Sequence, residues 1–132
     1  MSIGNIEDRA PQRVVAVERT PERETAWGFM QWLCSGTLFP DAEITFGYVE
    51  MNPGAKNPLH LHPNSDEVLF LVEGELEHSL GGEVFHMGPG SSIHIPRSVP
   101  HDAANRGSEL ARMIVAYPTA DRQVVLLEAG QE

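Results

Sequence analysis

Apolar and polar positions alternate in short runs along most of the chain, and Gly or Pro separates one run from the next. Residues 13–19 are rich in β-branched side chains between Pro11 and Pro21 and predict a first strand; residues 21–25 predict a short helix or a loop. Residues 27–33 are aromatic and apolar, a second strand. Pro40-Asp41 then turns the chain into a strand over 44–51, with Ile44, Phe46, Tyr48 and Glu50 on one face and Val49 and Met51 on the other. Residues 68–72 read Val-Leu-Phe-Leu-Val, apolar on both faces, which predicts a strand covered on both sides. Gly74 and Gly81-Gly82 bracket a short strand over 75–80 that forms a hairpin with 84–87. Further strands are expected at 93–95 and 109–117, with a last apolar segment at 124–127. Residues 1–12 read as an arm and 129–132 as a loose tail. Many short strands with Gly and Pro punctuation predict an all-β sandwich or barrel.

A chain of 132 residues suits one domain, here 1–132 with its barrel core over 40–118. Nine basic against nineteen acidic side chains give 9 − 19 = −10, which argues against nucleic acid and against an anionic membrane surface as partners. No apolar run is long enough to span a bilayer, and the first residues lack the basic start and apolar centre of a signal peptide. A cytoplasmic protein is therefore expected. Cys34 is the only cysteine, so no internal disulfide can form, and it reads as a small buried residue.

The chemistry concentrates in residues 54–67, Gly-Ala-Lys-Asn-Pro-Leu-His-Leu-His-Pro-Asn-Ser-Asp-Glu. The strand period of two puts His60 and His62 on one face with Leu61 on the other. Glu67 opens the next apolar run and can return a carboxylate to the imidazole face, while Asp66 points away from it. His101 follows Pro96 and Pro100, which stiffen its loop. Three neutral imidazoles and one carboxylate make a nitrogen and oxygen site for a divalent first-row metal. His78 and His86 are expected at the surface or in hydrogen bonds. His94, two residues before Pro96, is a candidate proton shuttle if it faces the barrel interior. Trp27, Trp32, Phe46, Tyr48 and Met51 suit a core or a pocket wall, and Tyr48 or Tyr117 can offer a hydroxyl to a substrate.

Gly54, His60, His62, Glu67 and Gly74 stand at the spacing of the first cupin motif. Gly90, Pro96, His101 and Asn105 stand at that of the second, with Ser98 where that motif has another glycine. The chain thus resembles a small single-domain cupin, and within that group the quercetinase-like proteins. The resemblance implies a double-stranded β-helix, or jelly-roll, barrel. It implies one divalent transition metal per chain, iron, manganese, nickel, copper or zinc, held by His60, His62, Glu67 and His101, and it implies a hydrogen-bonding role for Asn105 beside the His101 loop. The activity it implies is dioxygenation of an enolic or phenolic small molecule, with Glu67 able to transfer protons. Non-redox isomerase, lyase or polyketide cyclase chemistry is the alternative, and a non-catalytic metal- or ligand-binding protein, which predicts a closed site without a pocket, is the second. A homodimer covering the second face of residues 68–72 is the expected assembly.

Overall fold

The computed structural model describes residues 13–129, so the arm at 1–12 and most of the tail at 129–132 lie outside the described residues. Ten strands follow a single 3₁₀ turn at Pro21–Arg23: β1 Gly28–Cys34, β2 Thr45–Met51, β3 His60–Leu61, β4 Glu67–Glu73, β5 Leu76–Leu80, β6 Glu83–Met87, β7 Ser92–Ile95, β8 His101–Ala104, β9 Ala111–Tyr117 and β10 Val125–Leu126. They form two five-stranded antiparallel sheets, ordered β1-β2-β9-β4-β7 and β10-β3-β8-β5-β6. This is the double-sheet jelly roll that the motif resemblance implies, and it fits the all-β sandwich or barrel read from the sequence pattern. No helix among the described residues is long and apolar enough to cross a membrane.

The core lies between the sheets because strand alternation sends every second side chain inward. Leu69 and Leu71 of β4, Val49 and Met51 of β2, and Met113 and Val115 of β9 meet Leu76, Met87 and Ala103 from the opposite sheet. Glu67, His78 and His101 occupy inward positions in the same rows and are buried with them. The packing pattern that fills the barrel also carries its polar groups.

Four expectations are corrected. Residues 13–19 form no strand: the segment runs exposed beside β1, and the buried Gln31 side chain takes the place of a ladder, accepting from the Glu18 N–H at 2.7 Å and donating to the Ala16 carbonyl at 2.9 Å. The strand expected from Ile44 begins at Thr45 and leaves Ile44 exposed. Residues 68–72 are covered on one face only; Val68, Phe70 and Val72 point outward from β4 and are 44%, 40% and 40% exposed. Cys34 is half-buried rather than buried.

Candidate metal centre

His60 sits in β3 directly opposite His101 of β8 in the ladder, which brings their ring centroids to 4.2 Å. His62 lies one residue beyond β3, with its ring 5.1 Å from His60 and 5.2 Å from His101. A nitrogen from each of the three buried imidazoles falls within 4.8 Å of the other two. Glu67, the first residue of β4, enters from the other sheet and brings Oε1 to 3.2 Å from His62 Nε2 and 3.3 Å from His101 Nε2. All four residues singled out by spacing thus meet at one place.

Backbone carbonyls set the tautomers. His60 Nδ1 is 2.7 Å from Pro58 O, His62 Nδ1 is 2.8 Å from Gln123 O, and His101 Nδ1 is 2.9 Å from Val99 O. A carbonyl can only accept, so each neutral ring carries its proton on Nδ1 and keeps a lone pair on Nε2. His62 Nε2, His101 Nε2 and Glu67 Oε1 are then buried acceptors facing one another with no donor between them. Separations of 3.2 and 3.3 Å would be hydrogen bonds if a proton lay on Nε2, but the carbonyls hold it on the far nitrogen. Buried acceptors in contact repel unless a cation lies among them, and a donor set of imidazole nitrogens with one carboxylate suits a divalent first-row metal. The residues therefore fit the metal that the motif implies, with His60, His62, His101 and Glu67 as the groups that would hold it.

The electrostatics agree with that reading. Burial, reinforced by the neighbouring His101 and His62, pushes His60 down to about 4, so the ring is neutral at physiological pH. Burial works to raise the Glu67 carboxyl, but its interactions with His101 and His62 outweigh burial and hold the group well below the usual carboxylate range. Glu67 is therefore ionised.

A cavity of about 30 Å³, counted as the space open to the centres of water molecules, adjoins His60, Glu67 and His101. Trp27, Met51, Leu69 and Met113 supply apolar wall, and Tyr117 and Arg122 supply polar groups. Burial pushes the Tyr117 phenol well above its ordinary value, and the nearby Glu67 adds to the effect. Of the aromatic candidates, Trp27 and Tyr117 line the cavity, while Tyr48 lies on the outer side of its sheet, bonded to Glu50 and Arg112.

Three placements differ from the sequence reading. His94 faces outward from β7 opposite Val68, is 60% exposed at its side chain, and pairs with Asp66 at 2.9 Å, so it does not look into the barrel. His78, expected at the surface or in hydrogen bonds, is 1% exposed, stacks on His101 with ring planes 13° apart, and lines the cavity. Its neighbours Leu76 and Leu80 alternate with Glu77 and Ser79, and that alternation was the signal for an inward histidine. Asn105 ties the end of β8 to the last residue of β2 and to the loop before β9 rather than to the approach to His101: its amide donates to Met51 O at 2.9 Å and Glu109 O at 2.8 Å. Nothing in the local sequence marked Arg122.

The motif glycines Gly54, Gly74 and Gly90 all have positive φ, and Ser98, where the second motif has a further glycine, takes φ 65°. The loop keeps the glycine conformation without the glycine, and Ser98 N–H donates to His62 O at 2.9 Å. Comparison with known proteins agrees with the motifs: residues 47–117 match the family model described as Cupin domain. The chain belongs to the cupin family. Among curated cupin relatives, the polyketide synthase protein CurC of Streptomyces cyaneus is 32% identical over 107 residues, spanning 81% of this chain and 70% of CurC. Germin-like protein 3-8 of Oryza sativa subsp. japonica is 29% identical over 104 residues, 73% of this chain but 46% of the germin-like protein, so this cupin spans about half of that relative. Among solved structures, the formate complex of Lactobacillus farciminis oxalate decarboxylase superposes with a TM-score of 0.73 at 24% identity, covering 79% of this chain and 32% of the decarboxylase. That likeness concerns the fold.

Proposed function

We propose that this cupin is a metal-dependent enzyme acting on a small molecule through an enolic or phenolic oxygen, with dioxygenation as its reaction. The observation that carries the reading is the set of buried acceptors, His62 Nε2, His101 Nε2 and Glu67 Oε1, turned toward one point beside His60. The adjoining cavity, about 30 Å³ open to the centres of water molecules, leaves room beside the imidazoles for a small group, which supports an open site over a closed binding or storage site. A divalent ion bound there supplies a Lewis acid and, when it is iron, manganese or copper, one-electron chemistry with O₂.

The chain's own groups have definite parts. The bonds from Nδ1 to Pro58, Gln123 and Val99 carbonyls fix the imidazoles in orientation. Glu67 would hold the ion through Oε1, and its second carboxylate oxygen is the chain's candidate acceptor for the proton of the substrate hydroxyl. Trp27, Leu69 and Met113 keep bulk water from the reacting oxygen. The substrate is a small molecule, since the cavity is narrow.

Non-redox isomerase, lyase or polyketide cyclase chemistry is the second reading, and it has a specific support: the match to CurC, named for a polyketide synthase, spans 70% of that protein. Metal analysis of wild type and of the His60→Ala, His62→Ala double variant, followed by O₂-uptake assays with enolic and phenolic compounds, separates the two. The expected result is about one metal per chain, lost in the variant, with O₂ consumed alongside substrate. Metal with substrate conversion but no O₂ uptake moves the reading to the Lewis-acid class. Absence of metal from the wild type overturns both.

The assembly proposed is a homodimer packed through the outward face of Val68, Phe70 and Val72. We propose a cytoplasmic location, which the match to CurC of Streptomyces cyaneus supports.

A further inference from the structure

The cavity beside the imidazoles, about 30 Å³, has room for about two water molecules and for no ring, so a larger ligand reaches the metal side only where part of the wall yields. Most of that wall is rigid. Met51, Leu69, Met113 and Val115 are buried between the two sheets, where close packing leaves no space to move into. The segment joining β9 to β10 crosses from one sheet to the other as a strap, and Gly36 N–H ties it to the loop after β1 by donating to Ala120 O at 2.9 Å. Trp32 is held next to that strap: its ring packs onto Gly47, 2.7 Å from where a Cβ would stand, and the Arg122 guanidinium lies over it at 4.7 Å from the ring centroid. Met30 differs. It stands two residues before Trp32 in the same inward row of β1, opposite Val49, and packs against the core, yet it is only half-buried because β1 is the outermost strand of its sheet. Beside β1 lies a surface groove of about 470 Å³, lined by Thr25, Trp32, Ser35, Thr37 and Leu38. Among the described residues, Met30 alone lines both this groove and the cavity.

We infer that Met30 is a specificity-determining residue of this site, a movable partition that admits flat aromatic molecules from the groove beside β1 to the metal side and refuses bulky ones. The inference rests on the metal reading above and adds to it the route and the shape of the substrate. A methionine side chain is unbranched, turns about three bonds and tolerates irregular surroundings, so it can swing into the groove without disturbing its neighbours. The slot it vacates is bounded along β1 by the fixed Trp32 ring, so its width is that of one side chain and suits the edge of a planar ring. Contact between the thioether sulfur and an aromatic ligand is favourable, which offsets the cost of moving it when the ligand is aromatic. Trp32 lines the groove and offers the same ligand an aromatic surface on the way in. Met30 acts through its position and shape; it neither holds the metal nor exchanges a proton.

The test uses the full chain loaded with Zn²⁺ to one ion per chain and labelled with ¹³C at the methionine methyls, with metal content measured on each sample. It is titrated with catechol and with di-tert-butylcatechol, which present the same hydroxyls on a flat and on a bulky ring. Wild type, Met30→Ala, Met30→Ile and Met113→Ala are compared; the last enlarges the cavity at a residue that does not line the groove. In wild type, catechol is expected to shift the Met30 methyl resonance, assigned by its loss in Met30→Ile, and to bind about tenfold or more tighter than the bulky compound. Met30→Ala abolishes that preference while retaining its zinc, and Met113→Ala keeps it. Met30→Ile, branched at Cβ and stiff, slows the association of catechol. Catechol binding that leaves the Met30 resonance unmoved overturns the inference even if every variant fails to fold. A preference unchanged in Met30→Ala, or lost equally in Met113→Ala, also overturns it, as does binding of neither compound to wild type and to Met30→Ala. A wild type that takes up no metal overturns the metal reading, and the inference falls with it, so the metal measurement tells the two failures apart.

Discussion

His60 is buried, and burial together with His101 and His62 outweighs the Pro58 carbonyl and Glu67, which favour its protonation, so the metal-free protein has a defined response to acid. The His60 pKa stands at about 4 in the folded chain against an ordinary 6.5. Between those values the unfolded chain binds more protons than the folded one, so stability is complete above pH 6.5 and is lost as pH falls toward 4. Glu67, held below the carboxylate range, adds a loss of the same sign below its ordinary 4.5. Chelator-treated protein is expected to lose about 3 kcal/mol from His60 between pH 7 and pH 4. Urea unfolding at the two pH values measures it, and a His60→Asn variant should show a distinctly shallower dependence; an unchanged slope would assign the effect elsewhere. At this scale legibility followed the period of the strand. His60 and His62 could be placed together because their spacing forces a common face, and Glu67 because it heads a strand whose inward row is Leu69 and Leu71. His78 obeys the same rule in β5, but an isolated histidine between two leucines carries no motif. Arg122 obeys no local rule, since only the closure of the strap puts it over Trp32 and Tyr117.

At the scale of elements, two loops hold the site, and each can be loosened separately. The loop between β7 and β8 turns at Ser98, whose φ of 65° is a left-handed conformation that a residue with a Cβ resists. Ser98→Gly is expected to stabilise the protein by about 0.5–1 kcal/mol, whereas Ser98→Val should destabilise it by about 1–2 kcal/mol, both read from denaturant midpoints. Loss of stability in the glycine variant would show that the Ser98 side chain contributes more than its backbone strain removes. On the other side, Asn64 clamps the strap through two bonds, to Asp121 O at 2.8 Å and from Gln123 N–H at 3.1 Å, and Gln123 O in turn orients His62. Asn64→Ala is expected to weaken metal affinity about tenfold, in a chelator-competition titration, with only about 1 kcal/mol lost in stability. Unchanged affinity would mean that the Gln123 carbonyl holds its place without Asn64. The strands themselves were legible from alternation, except where a side chain replaced a ladder. Residues 13–19 have the composition of a strand, yet Gln31 bonds their backbone and no partner strand is needed.

For the whole molecule, the outer face of the β1-β2-β9-β4-β7 sheet poses the remaining question. The sequence of β4 is apolar on both sides, but one chain covers only Leu69 and Leu71 and leaves Val68, Phe70 and Val72 half in solvent. Ile114 lies beside Phe70 in the neighbouring strand and extends the patch. A two-fold pair covering this face would bury each of the three exposed side chains twice. Each is already half covered, so each burial contributes on the order of 1 kcal/mol, roughly 6 kcal/mol over the six side chains. Association costs about 4–15 kcal/mol in lost freedom, so these residues alone do not sustain a dimer and the flanking strands of the same sheet must contribute as well. Sedimentation velocity is expected to show a reversible dimer at tens of micromolar. Phe70→Glu, which places a carboxylate at the centre of the patch, is expected to shift the protein to monomer without changing its metal content, since Phe70 points away from the imidazole cluster. A wild type that stays monomeric at about 100 µM would assign the face to a different role. Dimerisation that survives Phe70→Glu would instead move the interface to another surface.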